Sequence, residues 1–581
     1  MNIYVADFET TTNKDDCRVW AYAVCDVNTL EVVKIGTTID DFMDWCKKQK
    51  DNPKVYFHNL KFDSQFFMYW MFHNGFHHVS STERASDTFT TVINAKGFYY
   101  AVEPVYYLKG KKVRKTTFLD SMKLIPMSVE KIADAFHLPY KKLQIDYDAH
   151  NNLPAGTPLK PDEEKYIVHD VKIVAHALRY FLEQGFDRMT IGSCALNEYK
   201  NIIGKHNFKR YFPVLNPTVH SDCRQAYKGG WSFVNPKYIG KKVGAGVVAD
   251  NNSIYPFVMR TKLLPWGTPV FFKGQYQEDY IYPLYIQMIR CQFEIKKGKH
   301  PTVQLKHSIW YSGNDYLTSS DDKEITLCLT SVDLKLFLEH YDVFNLEYIA
   351  GYKFRGARGL FDEFVDRFNG GKIKAREEKN WGFALINKLV LNALSGKFGT
   401  DTLIRTKIPY LDENDVIHYK DAEPEVKDGI YIPMACFITA YAREITIGAA
   451  QRVSDEFNAG ISNIDFAYSD TDSLHLISPD GTLPEWLEID KLKLGAWKFE
   501  SKFKRGKFLR AKCYIEDSTE DIYNDNPEYS LKVTVAGMPE SCKHQVNFNN
   551  FKLGATYTGK LQPKAVKGGV ILQDIDFTIK K

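Results

Sequence analysis

The chain has 581 residues, of which 44% are hydrophobic and 25% are charged, and its formal net charge is +4. This composition excludes a fibrous or disordered protein, and the length predicts several domains because a single hydrophobic core does not grow to this size. The mild positive charge gives little support for a polyanionic partner, so local clusters of charge must carry that argument.

Signals for secretion or membrane insertion are not found in the sequence. The ten cysteines are scattered without a Cys-x-x-Cys pair, which predicts neither a zinc site nor a disulfide framework. The N-terminus has no basic segment followed by an apolar core, and no apolar run is long enough to span a bilayer. We therefore expect a reduced, cytosolic enzyme without a membrane partner.

The pattern of apolar residues and turn formers divides the chain into regions of different type. The predicted elements, in chain order, are strands over 3–6 and 55–57, a helix over 166–183, a β-rich region over 262–352, a helix over 376–397, a polar stretch over 399–429 with a turn at 412–415, and a hairpin over 464–477.

Carboxylates follow predicted elements at three places in the first 170 residues. Asp7 and Glu9 end the first strand and point to the same side, because side chains alternate along a strand. Asp63 follows the second strand, and Tyr166 and Asp170 lie four residues apart on the predicted helix. Four converging carboxylates can hold two divalent ions for phosphodiester hydrolysis, with Tyr166 orienting the water or the phosphate. The sequence therefore predicts a nuclease site.

A second pair of acids is predicted later in the chain. Asp250 ends an apolar strand, and Asp470 and Asp472 lie at the tip of the predicted hairpin. Acids crowded at a rigid tip repel each other unless a cation binds them, and Mg²⁺ prefers oxygen ligands of this kind. Asp250 and Asp472 bridged by Mg²⁺ fit the attack of a primer hydroxyl on a nucleoside triphosphate. Tyr255 would then lie under the sugar and exclude a 2′-hydroxyl.

The predicted helix over 376–397 carries a polar stripe. Lys388, Asn392 and Gly396 recur every four residues and so share one face. The lysine can neutralise triphosphate charge, and the glycine lets a base pair approach the backbone. A solvated stripe on a core helix is an equally open explanation when this pattern is taken alone.

Weaker signals indicate contacts with a nucleic-acid backbone. The Tyr227-Lys228-Gly229-Gly230 segment is a flexible turn that can hold a phosphate backbone through its amides. The run from Lys502 to Lys512 has six basic residues and no acid, and Lys512 could steady a primer terminus. Arg443 is expected to contact a template phosphate.

Taken in this order, the motifs resemble those of the protein-primed DNA polymerases of the B family, the phi29-like phage polymerases, over essentially the whole chain. The motifs that carry the resemblance are Asp7/Glu9, His58-Asn59 to Asp63, Tyr166/Asp170, Tyr227 to Gly230, Asp250 to Pro256, Lys388 to Gly396, Tyr468 to Ser473 and Lys512 to Tyr514.

The resemblance implies a multidomain α/β and α+β fold, in which an RNase H-like 3′-5′ exonuclease precedes a right-hand polymerase with two insertions. The first insertion would bind a terminal protein that supplies the priming hydroxyl, and the second would support processivity and strand displacement. The implied boundaries are exonuclease 1–190, first part of the palm 191–261, first insertion 262–360, fingers 361–399, second insertion 400–430, second part of the palm 431–537 and thumb 538–581.

The resemblance also implies the partners and the site residues. The partners are primer-template DNA, single-stranded DNA, deoxynucleoside triphosphates (dNTPs) and the terminal protein. Each active site would take two Mg²⁺ ions, with Mn²⁺ as an alternative, in a monomer that replicates a linear phage-type genome in the cytoplasm of an infected bacterium. The implied nucleotide-binding residues are Tyr255, Lys388, Asn392 and Lys374. The implied DNA-binding residues are His58, Asn59, Ser121, Met122, Tyr227, Gly229, Gly230, Arg443, Lys512 and Tyr514.

The sequence departs from the family pattern at two places. Ala393 and Ser395 stand in a motif that is usually Asn-Ser-x-Tyr-Gly, and loss of an aromatic ring removes stacking worth about 1–3 kcal/mol per base. We expect a weaker or more permissive nucleotide pocket. Asn251 stands where an apolar residue is usual, with a mild effect expected because its backbone carbonyl would face the metal.

Three functions are therefore compared. The leading hypothesis is a DNA-templated DNA polymerase with proofreading, and the alternative is an exonuclease whose polymerase site is impaired at Ala393 and Ser395. The third is a non-catalytic nucleic-acid-binding module. The intact acids argue against this third function, because unpaired acids on a DNA-binding face lower the affinity for a polyanion.

Overall fold

The computed structural model describes residues 2–305, 316–518 and 531–580. The elements described up to residue 190 are β1 (Ile3–Thr10), β2 (Val19–Asp26), β3 (Val32–Gly36), α1 (Ile39–Lys48), β4 (Lys54–Phe57), α2 (Leu60–His73), β5 (His77–His78), β6 (Thr88–Ile93), β7 (Tyr99–Lys109), β8 (Lys112–Lys115), β9 (Thr117–Asp120), α3 (Val129–Ala135) and α4 (Pro161–Glu183).

The strands of this N-terminal region form one mixed sheet. Its strand order is β3-β2-β1-β4-β9-β7-β6-β5, and β8 pairs with β7. Strands β1, β4 and β9 run parallel, so their C-terminal ends meet at one edge of the sheet. Helix α4 packs against β1 and β2 and brings its polar residues to the same edge. The predicted strands over 3–6 and 55–57 are confirmed.

Helix α4 begins earlier than the sequence pattern indicates. The helix predicted over 166–183 extends back to Pro161, which occupies the first turn. A side-chain oxygen of Glu163 accepts a hydrogen bond from the backbone N–H of Lys160 at 2.9 Å, which completes the N-terminal cap. Tyr166 and Asp170 therefore lie within the helix and not at its start, which fixes their positions more firmly.

The middle of the chain combines helices with long strands. Its described elements are α5 (Ile191–Ile203), α6 (Lys205–Tyr211), α7 (Pro217–Gln225), β10 (Ser232–Val234), β11 (Lys242–Val243), β12 (Gly246–Asn251), α8 (Ile254–Thr261), β13 (Leu264–Lys273), β14 (Leu284–Ile295), β15 (Val303–Gln304), β16 (Tyr316–Leu317), β17 (Ile325–Thr330), α9 (Ser331–His340), β18 (Tyr341–Ala357), α10 (Asp362–Glu377) and α11 (Trp381–Phe398).

The last third of the chain contains the longest helix that the structure describes. Its described elements are β19 (Leu403–Ile404), β20 (Lys407–Leu411), β21 (Ile417–Asp421), β22 (Glu425–Val426), α12 (Ile432–Asn458), β23 (Asp465–Asp470), β24 (Ser473–Ile477), β25 (Trp497–Arg510), β26 (Cys513–Ser518), β27 (Leu531–Val535), α13 (Glu540–Lys543), β28 (Thr556–Val566) and β29 (Gly569–Thr578).

A second sheet, which we call the central sheet, joins strands that are far apart in sequence. Its order is β10-β23-β24-β12-β25-β26-β27, with β11 paired to β25. One face packs on α12 through Val247 and Leu474, and the other forms a separate core that includes Val248 and Phe508. Strand β12 lies directly beside the β23–β24 hairpin, so the two predicted acidic motifs are neighbours.

The predicted β-rich region and turn are confirmed, whereas the predicted helix over 376–397 is wrong at its start. Strands β13, β18, β14 and β17 form a four-stranded sheet, and the 412–415 turn joins β20 to β21. Helix α10 ends at Glu377 and α11 begins at Trp381. Lys379 has a left-handed φ of 57°, and the side chain of Asn380 accepts a hydrogen bond from the N–H of Phe383 at 3.1 Å. These contacts end one helix and cap the next.

Three regions that are distant in sequence meet at one point on the surface. Lys567, in the turn between β28 and β29, donates to Asp415 at 2.8 Å, and Asp415 is 3.5 Å from Nε2 of His73 in α2. The β28–β29 hairpin thereby closes against the N-terminal region and the β20–β21 hairpin. Within the described ranges, no helix has both the length and the apolar character needed to cross a membrane.

Candidate active sites

The first acid cluster lies at the edge of the N-terminal sheet. Carboxylate oxygens of Asp7, Glu9 and Asp170 lie within 4.8 Å of one another. Burial and the charge of Asp170 raise the pKa of Asp7 to about 7, and burial and Asp7 raise the pKa of Glu9. Asp63, in the first turn of α2, is 3% exposed, and burial and the charge of Asp7 raise its pKa. The structure therefore brings together the four acids that the sequence predicts.

This first cluster fits a divalent cation. Oδ1 of Asp170 is buried and has no hydrogen-bond partner among the described residues. A buried, unpartnered carboxylate oxygen beside two further acids is unfavourable unless a positive charge neutralises it. Oxygen ligands of this kind are those that Mg²⁺ and related ions prefer.

Two residues that the sequence analysis missed extend this cluster. Nζ of Lys142 lies 2.5 Å from Oδ2 of Asp170 and 5.4 Å from the centre of the Tyr166 ring. The hydroxyl of Tyr147 is 3.2 Å from that of Tyr166. Both residues belong to the loop between α3 and α4, and no local pattern distinguishes them from other loop residues. Burial and the charge of Glu9 raise the pKa of Tyr166, so its hydroxyl keeps its proton.

The residues expected to contact a single strand near the first cluster differ in their exposure. Asn59 is exposed and Met122 is half-buried. His58 bonds to Oγ of Ser121 at 2.9 Å and to the carbonyl of Met127 at 2.7 Å. Ser121 is fully buried and donates to the carbonyl of Phe57 at 3.0 Å. The expected DNA contact of Ser121 stays a prediction; in this structure its side chain holds His58 in position through their hydrogen bond.

The second acid cluster forms where β12 meets the β23–β24 hairpin. The backbone N–H of Asn251 donates to the carbonyl of Asp472 at 2.7 Å, which holds Asp472 beside Asp250. Burial and the charge of Asp472 raise the pKa of Asp250 to about 7. Burial, followed by Asp470 and Glu500, raises the pKa of Asp472 to about 6 although a backbone hydrogen bond opposes this shift. Glu500, on β25, is a third nearby acid that the sequence analysis missed.

The acids at the hairpin tip differ in their surroundings. Asp470 accepts hydrogen bonds from Oγ of Ser232 at 2.8 Å and from Nζ of Lys512 at 2.9 Å. Its charge is therefore already compensated by protein groups. Asp472 faces Asp250 instead, and the repulsion between the two carboxylates is relieved when a divalent cation binds them. The residues at this cluster therefore fit a divalent cation. Asp472 is a better ligand for it than Asp470, because protein groups do not already compensate its charge.

Asn251 is held by its side chain as well as by its backbone. The residue is 1% exposed, and Nδ2 donates to the carbonyl of Gly495 at 2.8 Å. The polar residue at this usually apolar position therefore ties β12 to the segment that precedes β25.

The helical stripe of α11 is exposed and lies near the second cluster. Lys388, Asn392 and Gly396 are all exposed on one face. The positive charge of Lys388 lowers the pKa of Asp250 against the raising effect of burial, which places the two side chains within electrostatic range. Ser395 is 8% exposed and donates to the carbonyl of Asn392 at 3.4 Å, so its side chain faces inward.

Two further nucleotide-binding candidates occupy different environments. Tyr255, in the first turn of α8, is half-buried, and burial raises the pKa of its hydroxyl to about 12. Lys374 lies on α10 with 76% of its side chain exposed, and its Nζ is 3.8 Å from Glu378. The charges of Asp472 and Asp470 also raise the pKa of Tyr255, which places it near the second cluster. Lys374, by contrast, is exposed and free to change its orientation.

Arg443, which is expected to contact a template phosphate, is buried in this structure. Its side chain is 3% exposed, and its guanidinium binds both oxygens of Asp333 at 2.8 Å. It also donates to the carbonyls of Lys228 at 2.9 Å and Gly229 at 2.7 Å. The expected template contact through Arg443 stays a prediction; in this structure its donors anchor the 227–230 turn from inside the protein.

The glycines of this turn have different surroundings. A Cβ atom on Gly230 would lie 2.5 Å from Cγ2 of Thr471, between the two acids of the hairpin tip, whereas one on Gly229 would meet nothing within 4 Å. The turn therefore packs directly against the hairpin that carries Asp472. Tyr227 is half-buried, with its hydroxyl close to Gly399.

The Lys512 and Tyr514 pair is divided between surface and core. Lys512 is exposed, and its backbone N–H donates to the hydroxyl of Tyr468 at 2.9 Å. Tyr514 is 6% exposed and its ring packs against Tyr468 with centroids 5.0 Å apart. The expected DNA contact of Tyr514 stays a prediction; in this structure its ring packs in the core next to the residues that hold Lys512.

Comparison with known proteins agrees with this arrangement. Residues 46–174 and 153–482 match the family described as DNA polymerase type B, organellar and viral. The DNA polymerase of Bacillus phage phi29 is 42% identical over 589 residues, covering 100% of this chain and 99% of the relative. Solved structures of phi29 DNA polymerase cover 100% of both chains. The complex with primer-template DNA and incoming nucleotides has a TM-score of 0.92 at 41% identity, and the single-stranded DNA complex has 0.90 at 40%.

The fold and these comparisons therefore define a template-directed DNA polymerase that carries an RNase H-like exonuclease region ahead of a right-hand polymerase region. The chain belongs to the type B DNA polymerases of organelles and viruses, and within them to the phi29-like phage enzymes.

Proposed function

We propose that this polymerase joins nucleotides at the Asp250–Asp472 cluster and removes them at the cluster of Asp7, Glu9, Asp63 and Asp170. The observation that carries the proposal is the presence of two separate groups of acids, on two different sheets, whose pKa values are raised by desolvation and by mutual repulsion. When bound, two Mg²⁺ or Mn²⁺ ions at each cluster would neutralise these acids and activate the attacking oxygen.

In synthesis, the primer 3′-hydroxyl attacks the α-phosphorus of the incoming nucleotide, and pyrophosphate leaves. Asp250 and Asp472 would hold the divalent ions, which would supply positive charge to the reacting oxygens. Lys388 and Asn392 present polar groups to the triphosphate from the exposed face of α11, and Lys374 can turn toward it. The ring of Tyr255 lies under the sugar. Lys512, bound to Asp470, faces the primer terminus.

In proofreading, a water attacks the terminal phosphodiester and the shortened strand leaves with a 3′-hydroxyl. The hydroxyl of Tyr166 donates to the water or to the scissile phosphate, since burial keeps it protonated. Lys142, beside Asp170, compensates the charge that develops on the phosphate. Asn59 and Met122 are placed to contact the single strand that enters this site.

We also propose the partners and the domain limits that the family resemblance implies. The solved relatives bind primer-template DNA, single-stranded DNA and incoming nucleotides, which supports the same ligands here. A terminal protein would bind the β-rich insertion over 262–360 and supply the first hydroxyl. The insertion over 400–430 meets the β28–β29 hairpin through Asp415 and Lys567, an arrangement that supports processive, strand-displacing synthesis. The protein would act as a monomer in the host cytoplasm.

A 5′-labelled primer on a longer template tests this assignment. With Mg²⁺, the primer should lengthen when deoxynucleotides are present and shorten when they are absent. Asp250→Asn should abolish lengthening and leave shortening, and Asp7→Ala should do the reverse. Loss of both activities in either single variant would show that the two clusters are not independent sites. Transfer of a labelled deoxynucleotide to purified terminal protein tests protein priming separately.

The nucleotide pocket provides the test of the alternative function. Ser395 replaces a larger aromatic residue of the family motif and faces inward, so the surface beside the nascent base pair is smaller. Shortening of the primer with nucleotides present as well as absent would mean that the polymerase site is impaired. Ser395→Tyr should then restore extension and lower mismatch incorporation. Unchanged kinetics in that variant would exclude a role for this position.

A further inference from the structure

A row of three polar side chains lies in the core of the central sheet beside the second acid cluster. Oε1 of Glu516 is 2.6 Å from Nδ1 of His475, and Nε2 of His475 is 3.3 Å from Oγ of Ser473. The side chains of Glu516 and His475 are each only 2% exposed. Burial of an ionisable pair is unfavourable unless its members are fully hydrogen-bonded, so the desolvation of these groups lowers the stability of the core.

The register of the central sheet places one end of this row beside Asp250. Ser473 lies opposite Asp250 on β12 and opposite Asp470 on β23. Residues directly opposite on paired strands point to the same face of a sheet. The side chain of Ser473 therefore lies on the same face of the sheet as those of Asp250 and Asp470, and His475, two residues further along β24, points to this face as well.

Aromatic rings close the other sides of the row. The imidazole of His475 lies 4.9 Å from the Tyr514 ring, 5.0 Å from the Tyr468 ring and 5.9 Å from the Phe508 ring, measured between centroids. These side chains exclude water from His475 and Glu516. The low polarity strengthens the hydrogen bonds that remain.

The chemistry of the three groups sets the direction of the hydrogen bonds. An ionised carboxylate can only accept, so Nδ1–H of His475 donates to Glu516. In a neutral imidazole Nε2 is then an acceptor, and it accepts the hydroxyl proton of Ser473 at 3.3 Å, nearer than the other acceptor of that hydroxyl, the carbonyl of Asp470 at 3.5 Å. The lone pairs of the Ser473 oxygen are therefore left to accept a hydrogen bond on the side of Asp250.

We propose that Glu516, His475 and Ser473 form a relay that presents the Ser473 oxygen as an acceptor to the hydration shell of the divalent cation at Asp250 and Asp472. The proposal rests on the metal-dependent function proposed for that cluster. None of the three residues touches substrate, so all three are positioning residues. Such outer-shell partners typically change metal affinity by about 10- to 100-fold when they are removed.

Mn²⁺ binding tests the relay without relying on turnover. The parent protein carries Asp7→Ala and Asp63→Ala, which removes the first cluster, and is bound to a primer-template with a dideoxy terminus and the matching nucleotide. Free Mn²⁺ is measured by electron paramagnetic resonance. Ser473→Ala and Glu516→Leu should each raise the Kd for Mn²⁺ about tenfold, whereas Glu516→Gln should keep it within about twofold because its carbonyl still accepts from Nδ1–H.

A second buried pair in this chain supplies the matched control. Nε2 of His150 is 3.1 Å from Oε1 of Glu163 in the N-terminal region, with side chains 2% and 4% exposed. Glu163→Leu should leave the Mn²⁺ affinity of the second cluster unchanged. Thermal unfolding of every variant distinguishes loss of the fold from loss of Mn²⁺ binding. If Glu516→Leu does not fold, the Mn²⁺ affinity of Ser473→Ala alone tests the relay.

The results that would overturn the relay differ from the result that would overturn the metal site itself. Parent-like Mn²⁺ affinity in folded Ser473→Ala would overturn the relay. Equal weakening by Glu516→Gln and Glu516→Leu would also overturn it, because the charge of Glu516 and not its hydrogen bond would then set the affinity. If Asp250→Asn bound Mn²⁺ as well as the parent does, the metal site proposed at the second cluster would itself be wrong.

Discussion

Removal of Asp333 should strongly destabilise the protein through Arg443. The guanidinium side chain is 3% exposed and donates two hydrogen bonds of 2.8 Å and one of 3.1 Å to the carboxylate oxygens of Asp333. Because arginine cannot lose its proton in a protein, Asp333→Ala leaves a buried positive charge without its counter-ion. Breaking such a pair by removing one partner costs about 3–5 kcal/mol.

The remaining contacts of Arg443 refine this magnitude. The carbonyls of Lys228 and Gly229 still accept hydrogen bonds at 2.9 and 2.7 Å after the substitution. We therefore expect a loss near the lower limit, about 3 kcal/mol in the free energy of unfolding. Denaturant titration followed by tryptophan fluorescence measures this loss, with Glu183→Ala as the control because the ion pair that it forms with Arg179 lies on the surface.

A double variant separates stability from function. Asp333→Leu with Arg443→Met replaces the ion pair by apolar groups of similar size, which should recover most of the stability. It should not recover primer-template affinity, because the 227–230 turn has lost the donors that anchor its carbonyls. A loss below about 1 kcal/mol for Asp333→Ala, typical of an exposed pair, would refute the argument from burial.

Three further predictions follow from the geometry of the two clusters. Gly230→Ala should lower primer extension at least about tenfold by displacing Thr471 at the hairpin tip, while Gly229→Ala, which meets nothing within 4 Å, should extend normally. Lys142→Ala should slow primer shortening by about 10- to 100-fold without affecting extension, and equal effects on both activities would contradict its assignment. In EDTA the melting temperature should fall as pH rises from about 4 to 7. Burial raises the pKa of Asp7 to about 7, so over this range the folded state loses a proton that the unfolded chain has already released. Mg²⁺ should reverse the fall, and a melting temperature that does not change with pH would show that the surroundings of Asp7 do not raise its pKa.

Local sequence patterns are enough to identify the acids that are catalytic candidates and the elements that carry them. Asp7 and Glu9 were found from the alternation of one strand, and Asp250 from the end of another. The hairpin tip at Asp472 was predicted from two apolar arms around a short polar turn. These features depend on residues within about ten positions of one another, so local periodicity and turn chemistry are sufficient to find them.

The surroundings of these acids depend on contacts between distant parts of the chain. Arg443 and Asp333 are 110 positions apart, and Lys142 reaches Asp170 across 28 positions. No local pattern shows that Arg443 faces inward or that Ser121 is covered by other elements. Burial and pairing arise from packing between distant segments, which the spacing of residues along one strand or helix does not encode. The same packing gives the acids their raised pKa values, because desolvation depends on everything that covers a side chain.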